Sequence, residues 1–149
     1  MSIKFVHVNI ISKDWRKLAD FYTRVFECKP LWPERNLNGK WLDQATSLKN
    51  ANIEGIHLRL PGFEERSPTL EIFQYKENKA SHEKSVNTEG IGHLAFRVDD
   101  VEKIINKILE NGGKQIGEIT TKEIKDVGTI TFAYTSDPEG NIIEIQNWS

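Results

Sequence analysis

Apolar positions along the chain follow two periods, one typical of strands and one typical of helices. Residues 3–11, IKFVHVNII, and residues 91–98, IGHLAFRV, are predicted to be strands because apolar residues dominate them. Each is followed by a run with apolar residues three and four positions apart, which predicts an amphipathic helix. The apolar stripes of these two helices are Leu18, Phe21, Tyr22, Val25 and Phe26 in the first, and Val101, Ile104, Ile105, Ile108 and Leu109 in the second.

Short polar residues and glycines mark the ends of both helices. Ser12 or Asp14 is the candidate N-cap of the first helix, and Asp99 or Asp100 is that of the second. The second helix is expected to stop at residues 111–113, Asn-Gly-Gly, because glycine accepts the left-handed backbone that commonly ends a helix.

Three further strands are expected after each helix. The candidates are 40–48, 56–60 and 69–75 in the first half of the chain, and 115–123, 128–135 and 141–147 in the second half. The segment SDPEGN, residues 136–141, has the composition of a turn and leads into the last strand.

The chain therefore carries one unit twice. The two strand–helix segments align without a gap, and this alignment places His7 on His93. The last strands of the two halves, TLEIFQY and IIEIQNW, align so that Glu71 falls on Glu144. An internal repeat of this length and order is stronger evidence than any single motif.

The repeated order of strand, helix and three strands predicts an α+β fold of two tandem βαβββ modules. We expect a single domain, residues 1–149, with modules at about residues 3–76 and 90–148. The first copy is longer than the second between its histidine and its glutamate. The surplus is expected in polar loops such as 33–40 or 61–68.

Each glutamate lies in the middle of an apolar strand, where a charge needs a partner. Side chains alternate between the faces of a strand, so both glutamates and both histidines lie opposite a purely apolar face. Two imidazoles and two carboxylates suit a divalent metal such as Ni, Zn, Co, Mn or Fe. We therefore predict metal ligands at His7, Glu71, His93 and Glu144. The alternative is four unrelated residues with separate partners, and the repeat argues against it.

Weaker candidates share the mixed face with these four residues and could line a substrate pocket. Arg97 could hold an anionic group or lie at a surface or dimer contact, and a structural role for His57 is favoured over a ligand contact. The pocket candidates are Asn9, His57, Phe73, Tyr75 and Arg97.

Bulk composition excludes several classes of function. A net charge of -2 and a pI near 6.1 give no polyanion-binding surface, so nucleic acid is not an expected partner. Cys28 is the single cysteine, which excludes an intrachain disulfide and fits the reducing cytoplasm. We expect a partly buried thiol there rather than a nucleophile. No apolar stretch approaches the ~20 residues of a membrane span, and no signal peptide is expected.

The chain resembles the vicinal oxygen chelate superfamily, which contains glyoxalase I, epimerases, extradiol dioxygenases, fosfomycin resistance proteins and bleomycin-binding proteins. The segments GIGHLAFRVDDVEKIINKILENGG and FAYTSDPEGNIIEI resemble its second-module signature, and DFYTRVF resembles its first-module helix. The resemblance implies paired βαβββ modules around an open cup-like mixed sheet. It also implies a homodimer with a small-molecule substrate, and the metal ligands named above.

A His-Glu-His-Glu ligand set is most similar to that of bacterial-type glyoxalase I. The resemblance implies a metal-dependent lyase or isomerase in which Glu71 or Glu144 moves a proton beside a metal-chelated carbonyl or enediolate. One departure concerns glutathione, because the positions of its arginine and asparagine contacts carry Ile11 and Tyr75.

Two alternatives remain open. One is a metal-dependent epimerase or dioxygenase-like member of the superfamily. The other is a non-catalytic protein that binds a drug or antibiotic between aromatic walls. Those walls would be Trp32, Trp41, Phe73 and Tyr75.

Overall fold

A computed structural model describes residues 2–149, and they form nine strands and three helices. The elements are β1 His7–Ile11, α1 Trp15–Phe26, β2 Lys29–Asn38, α2 Lys40–Thr46, β3 Asn52–Arg59, β4 Thr69–Tyr75, β5 Leu94–Arg97, α3 Val101–Glu110, β6 Lys114–Gln115, β7 Thr120–Ile124, β8 Gly128–Ser136 and β9 Ile142–Trp148. The chain divides into two compact units, one ending at Ala80 and the other running from Ser81 to Ser149.

Each unit contains one open mixed sheet with the same strand arrangement. The first sheet has the order β1-β4-β3-β2, in which β1 and β4 are parallel and the other pairs are antiparallel. The second has the order β5-β9-β8, with β6 and β7 both paired to the free edge of β8 and β5 parallel to β9. This architecture confirms the α+β prediction of repeated βαβββ units.

The helices α1 and α3 begin at equivalent aspartates. The Asp14 carboxylate accepts a hydrogen bond from the Lys17 N–H at 3.2 Å, and Asp100 accepts one from the Lys103 N–H at 2.9 Å. Such caps satisfy a backbone donor that has no partner within the helix. The apolar stripes are buried as predicted except in α3, where Ile104 is half-buried and Leu109 is exposed.

The prediction of a strand at 40–48 is wrong, because residues 40–46 form α2. The helix follows Gly39, whose φ of 118° breaks the preceding strand. Its single buried residue, Leu42, packs with Ile53 and Phe73 against the face of the sheet opposite α1. A short segment with few apolar residues is compatible with either a helix or a strand, so the sequence alone did not distinguish the two.

The missing strand lies upstream, as β2, in a stretch that contains Pro30 and Pro33. Proline cannot donate to a sheet ladder and is tolerated on an edge strand, and β2 is the edge of its sheet. The surplus of the first copy was expected at 33–40 or 61–68. Residues 33–38 belong to β2, whereas α2 and the irregular segment 60–68 lengthen the first copy.

The second unit matches its prediction more closely. The strand expected at 115–123 is two short strands, β6 and β7, and the strands expected at 128–135 and 141–147 are β8 and β9. The turn before β9 is held by the buried Asp137 side chain, which accepts hydrogen bonds from the N–H groups of Glu139 and Asn141. Gly140 takes a φ of 87° there.

Within residues 2–149, the structure contains no helix that is both long enough and apolar enough to cross a membrane.

Gly113, just after α3, lies in a position with no room for a side chain. A Cβ there would come within 2.4 Å of Ile108 Cγ2 and 2.5 Å of the Ser136 carbonyl oxygen, whereas a Cβ at Gly117 would meet nothing within 4 Å. We predict that Gly113→Ala destabilises the protein by about 1–3 kcal/mol through overpacking. Gly117→Ala should change the free energy of unfolding by less than about 0.5 kcal/mol. Urea unfolding measures both, and equal midpoints for the two variants would contradict this packing.

Candidate metal centre

The position of Glu71 follows from the alternation of β4. Leu70 and Ile72 point to the face that α1 covers and are fully buried. Glu71 therefore points to the opposite face, where it is only 8% exposed. A carboxylate this deeply buried needs hydrogen-bond donors around it.

Three side chains from two neighbouring strands supply contacts to Glu71. His7 Nε2 lies 3.0 Å from Glu71 Oε1, and Asn9 Nδ2 donates to the same oxygen at 3.4 Å. His57 Nε2 lies 2.9 Å from the other oxygen, Oε2. The strand register explains the arrangement, because Asn9 in β1 and His57 in β3 are both directly paired with Glu71 in β4.

His57 is held in the neutral form more firmly than an exposed histidine. Burial lowers the pKa of its imidazole, and the positive charge of Arg35 and the nearby His7 act in the same direction, while Glu71 opposes them. Its second ring nitrogen, Nδ1, lies 3.5 Å from the Thr69 hydroxyl oxygen. The imidazole thus has one nitrogen directed at a carboxylate and the other at a hydroxyl group.

The second unit repeats the histidine–glutamate contact in β9. His93 Nε2 lies 3.0 Å from Glu144 Oε2, and Ile143 and Ile145 on either side of the glutamate are fully buried. The other carboxylate oxygen, Oε1, accepts a hydrogen bond from Gln146 Nε2 at 3.3 Å. Gln146 is itself oriented by the indole N–H of Trp148, which donates to its side-chain oxygen.

The two units differ beside their glutamates. Tyr134 in β8 is paired with Glu144 as His57 in β3 is paired with Glu71. The Tyr134 ring packs edge-on against His93, with 5.3 Å between ring centroids. Each unit thus keeps the contact between imidazole and carboxylate but supports its carboxylate with a different neighbour.

The donor chemistry of each pair fits a divalent metal. Imidazole nitrogen and carboxylate oxygen are donors for Zn and for the neighbouring transition metals. Bonds of ~2.1 Å place neighbouring donors of a coordination shell about 3 Å apart. The nitrogen–oxygen distance is 3.0 Å in both pairs.

Neither unit gathers a complete shell by itself. Across residues 2–149, no three histidine, cysteine, aspartate or glutamate side chains are arranged to hold one ion. His7 and His57 both contact Glu71, but they lie on separate oxygens with 6.3 Å between their ring centroids. The two histidines therefore contact the Glu71 carboxylate from two sides, and the three side chains do not surround a common position for a metal ion.

The remaining pocket candidates lie in different surroundings. The Phe73 ring is 5.6 Å from that of His57, close to the Glu71 cluster. Tyr75 packs against the apolar group beneath α2. Arg97 is exposed, and its guanidinium donates to the Trp148 carbonyl oxygen at 3.5 Å.

Strand alternation places Gln146 on the same face as Glu144, but sequence reasoning did not identify it as a contact of the carboxylate and did not identify Tyr134 as a neighbour of the site. Tyr134 can be recognised as the counterpart of His57 only from the pairing of β8 with β9. Strand register is a tertiary property that local patterns do not specify.

Comparison with known proteins supplies the family. The sequence model of the Glyoxalase/Bleomycin resistance protein/Dioxygenase superfamily matches residues 4–145. The chain belongs to this superfamily. No curated protein matches the chain.

Solved structures share the superfamily fold. A glyoxalase family protein from Bacillus cereus aligns with a TM-score of 0.78 and 19% identity, covering 98% of this chain and 93% of its own. A superfamily protein from Alicyclobacillus acidocaldarius aligns with a TM-score of 0.57 and 14% identity, covering 97% and 91% of the two chains. A glyoxalase I mutant from Zea mays aligns with a TM-score of 0.63 and 24% identity, covering 96% of this chain but 44% of the maize chain.

Cys28 lies outside this chemistry and should be inert in the folded protein. Its side chain is 1% exposed, and burial raises the pKa of the thiol to about 12, so almost no thiolate exists at pH 8. We predict that Ellman's reagent leaves the native protein unmodified and titrates one thiol after unfolding in urea. Rapid reaction of the native protein would show that Cys28 is accessible.

Proposed function

We propose that the protein is a metal-dependent lyase or isomerase of the glyoxalase I type. The ligands are His7, Glu71, His93 and Glu144, supplied by one chain or by two chains of a homodimer. The bound ion is divalent, from the group Ni, Zn, Co, Mn and Fe.

One observation carries this proposal. Both copies of an internal repeat place an imidazole nitrogen 3.0 Å from a carboxylate oxygen on the face of the sheet opposite the apolar core. The same pair recurs in copies whose other residues have diverged, which supports a shared role for the two pairs. The superfamily of the chain includes many enzymes, which agrees with a catalytic use of this pair.

The reaction class follows from the donor set. When bound, the metal supplies Lewis acidity that makes the hydrogen beside a chelated carbonyl easier to remove. A glutamate at the site takes that proton and returns it to a neighbouring atom. Glu144 contacts His93 and Gln146, whereas Glu71 contacts three side chains, so fewer donors compete for the Glu144 carboxylate. Glu144 is therefore our first choice for the base.

The substrate is a small molecule with neighbouring oxygens, and this chain lacks the two side chains that correspond to the glutathione contacts of glyoxalase I. Ile11 is 46% exposed and paired with Phe73, and Tyr75 packs against the apolar cluster that contains Leu42, so this end of the face is apolar. These are the two positions where glyoxalase I would carry its glutathione contacts. A thiol adduct with a more apolar carrier fits the surface better.

A non-catalytic binder is the second candidate, and two exposed tryptophans favour it. Trp32 and Trp41 are 69% and 56% exposed in the region of β2 and α2. Indole rings pair with other aromatic rings in stacked or edge-to-face arrangements, and tryptophan is enriched at interfaces. A binder of this kind needs no metal, so metal content separates the two functions.

A cytoplasmic location belongs to the same proposal. It rests on the lone cysteine, which stays a buried thiol in the folded protein.

We predict that the purified protein binds about one divalent ion per site and loses activity on chelation. His7→Ala and His93→Ala should each weaken metal binding by at least about 100-fold, because each removes a direct ligand. Metal analysis and competition with a chromogenic chelator measure the affinity. The control is His82→Ala, which removes an exposed histidine of the loop between β4 and β5. A wild-type protein without metal, even in excess Ni or Zn, would refute the proposal.

We predict that Glu144→Gln lowers kcat by about 10²–10⁴-fold, the usual contribution of a general base. The assay follows isomerisation of the methylglyoxal–glutathione adduct and of adducts with other thiols, with metal content measured for each sample. Glu123→Gln makes the same change at an exposed position of β7 and should leave kcat unchanged. Full activity of metal-loaded Glu144→Gln would exclude Glu144 as the base.

A further inference from the structure

We propose that His57 is a positioning residue that fixes the direction of the Glu71 carboxylate. Its Nε2–H donates to Glu71 Oε2 and leaves Oε1 directed toward the His7 imidazole. The inference rests on the proposed function, because its purpose is to present one carboxylate oxygen to a metal ion.

The geometry divides the two carboxylate oxygens between different neighbours. Oε2 lies 2.9 Å from His57 Nε2, and Oε1 lies 3.0 Å from His7 Nε2. A carboxylate with no fixed partner would rotate and could bind an ion through either or both oxygens. Because His57 occupies Oε2, the oxygen on the side of the predicted ligand His7 is Oε1, which also accepts a hydrogen bond from Asn9 Nδ2 at 3.4 Å.

Three packing features hold His57 in this orientation. Direct pairing of β3 with β4 brings the residue opposite Glu71. The Phe73 ring meets the imidazole edge-on at 5.6 Å between centroids, and the Thr69 hydroxyl lies 3.5 Å from Nδ1. The His57 side chain is 22% exposed, compared with 41% for His7. The more exposed imidazole suits an open ligand position, and the more enclosed one suits a support.

The position of the proton on the His57 ring agrees with His57 as the support and His7 as the metal ligand. A neutral imidazole carries its proton on one nitrogen and accepts through the other. A hydroxyl group beside Nδ1 and a carboxylate beside Nε2 favour the tautomer with the proton on Nε2. A histidine that bound the metal through Nε2 would carry its proton on Nδ1. The two roles therefore require opposite tautomers.

In the second unit, Gln146 occupies one oxygen of Glu144 as His57 occupies one oxygen of Glu71 in the first. Glu144 directs Oε2 to His93, and its Oε1 accepts from Gln146 at 3.3 Å. In both units, one carboxylate oxygen faces a predicted ligand histidine and the other is occupied by a side-chain N–H. Supports of this kind typically change metal affinity by about 10–100-fold when they are removed.

The test compares the affinity of the full chain for Zn²⁺ and Ni²⁺ in two variants at one position. His57→Leu removes the donor, and we expect a 10–100-fold loss of affinity with the metal count per chain unchanged. His57→Gln keeps an amide N–H at a similar reach and should recover most of that loss. His82→Leu makes the same substitution in an exposed segment and should match the wild type. Circular dichroism verifies that each variant is folded.

A second measurement reads the tautomer directly. In the Zn²⁺-loaded wild type, long-range ¹⁵N–¹H correlation spectra should show His57 protonated on Nε2. Protonation on Nδ1 with Nε2 bound to metal would overturn the proposal, and so would equal loss of affinity in both His57 variants. Unchanged affinity in His57→Leu would also overturn it while the proposed function stands. A wild type that binds neither ion would instead refute the proposed function, and this inference with it.

Discussion

The apolar residues on either side of each glutamate fix the candidate site. Leu70 and Ile72 flank Glu71, Ile143 and Ile145 flank Glu144, and all four are fully buried. A shift of either strand by one residue would place a carboxylate in the core and two branched side chains in water. The hydrophobic effect thus sets the strand register, and the register sets the direction in which each carboxylate points.

Both carboxylates need hydrogen-bond donors, and the two units supply different side chains to meet this need. Glu71 lies among an imidazole, an amide and a second imidazole, whereas Glu144 relies on His93 and on a glutamine oriented by Trp148. The two copies share the directions in which the carboxylate oxygens point, but they differ in the side chains that donate to those oxygens.

Local patterns predicted much of the fold, because the decisive signals were short in range. The strand at 69–75 and the aspartate caps follow from alternation and from helix chemistry that need no tertiary contact. The prediction of a strand at 40–48 failed because Leu42 is buried by packing with Ile53 and Phe73, which lie further along the chain. The contact of His57 with Glu71 was missed for a similar reason, since it requires the β3–β4 register. The sequence indicated which polar residues lie on the face of the sheet opposite the core, but it did not indicate which side chains they contact.

Strand order also determines when each unit can be completed. The glutamate strands β4 and β9 come last in their units, yet each lies inside its sheet. Within residues 2–149, β4 is the sole ladder partner of β1, which contains His7, and β9 is that of β5, which follows His93. A chain emerging from the ribosome therefore holds β1 unpaired until β4 has been synthesised, and β5 unpaired until β9 has been synthesised. Such long-range closure slows folding compared with local pairing. Nascent chains are thus exposed to misfolding for longest at the two segments that carry the predicted histidine ligands.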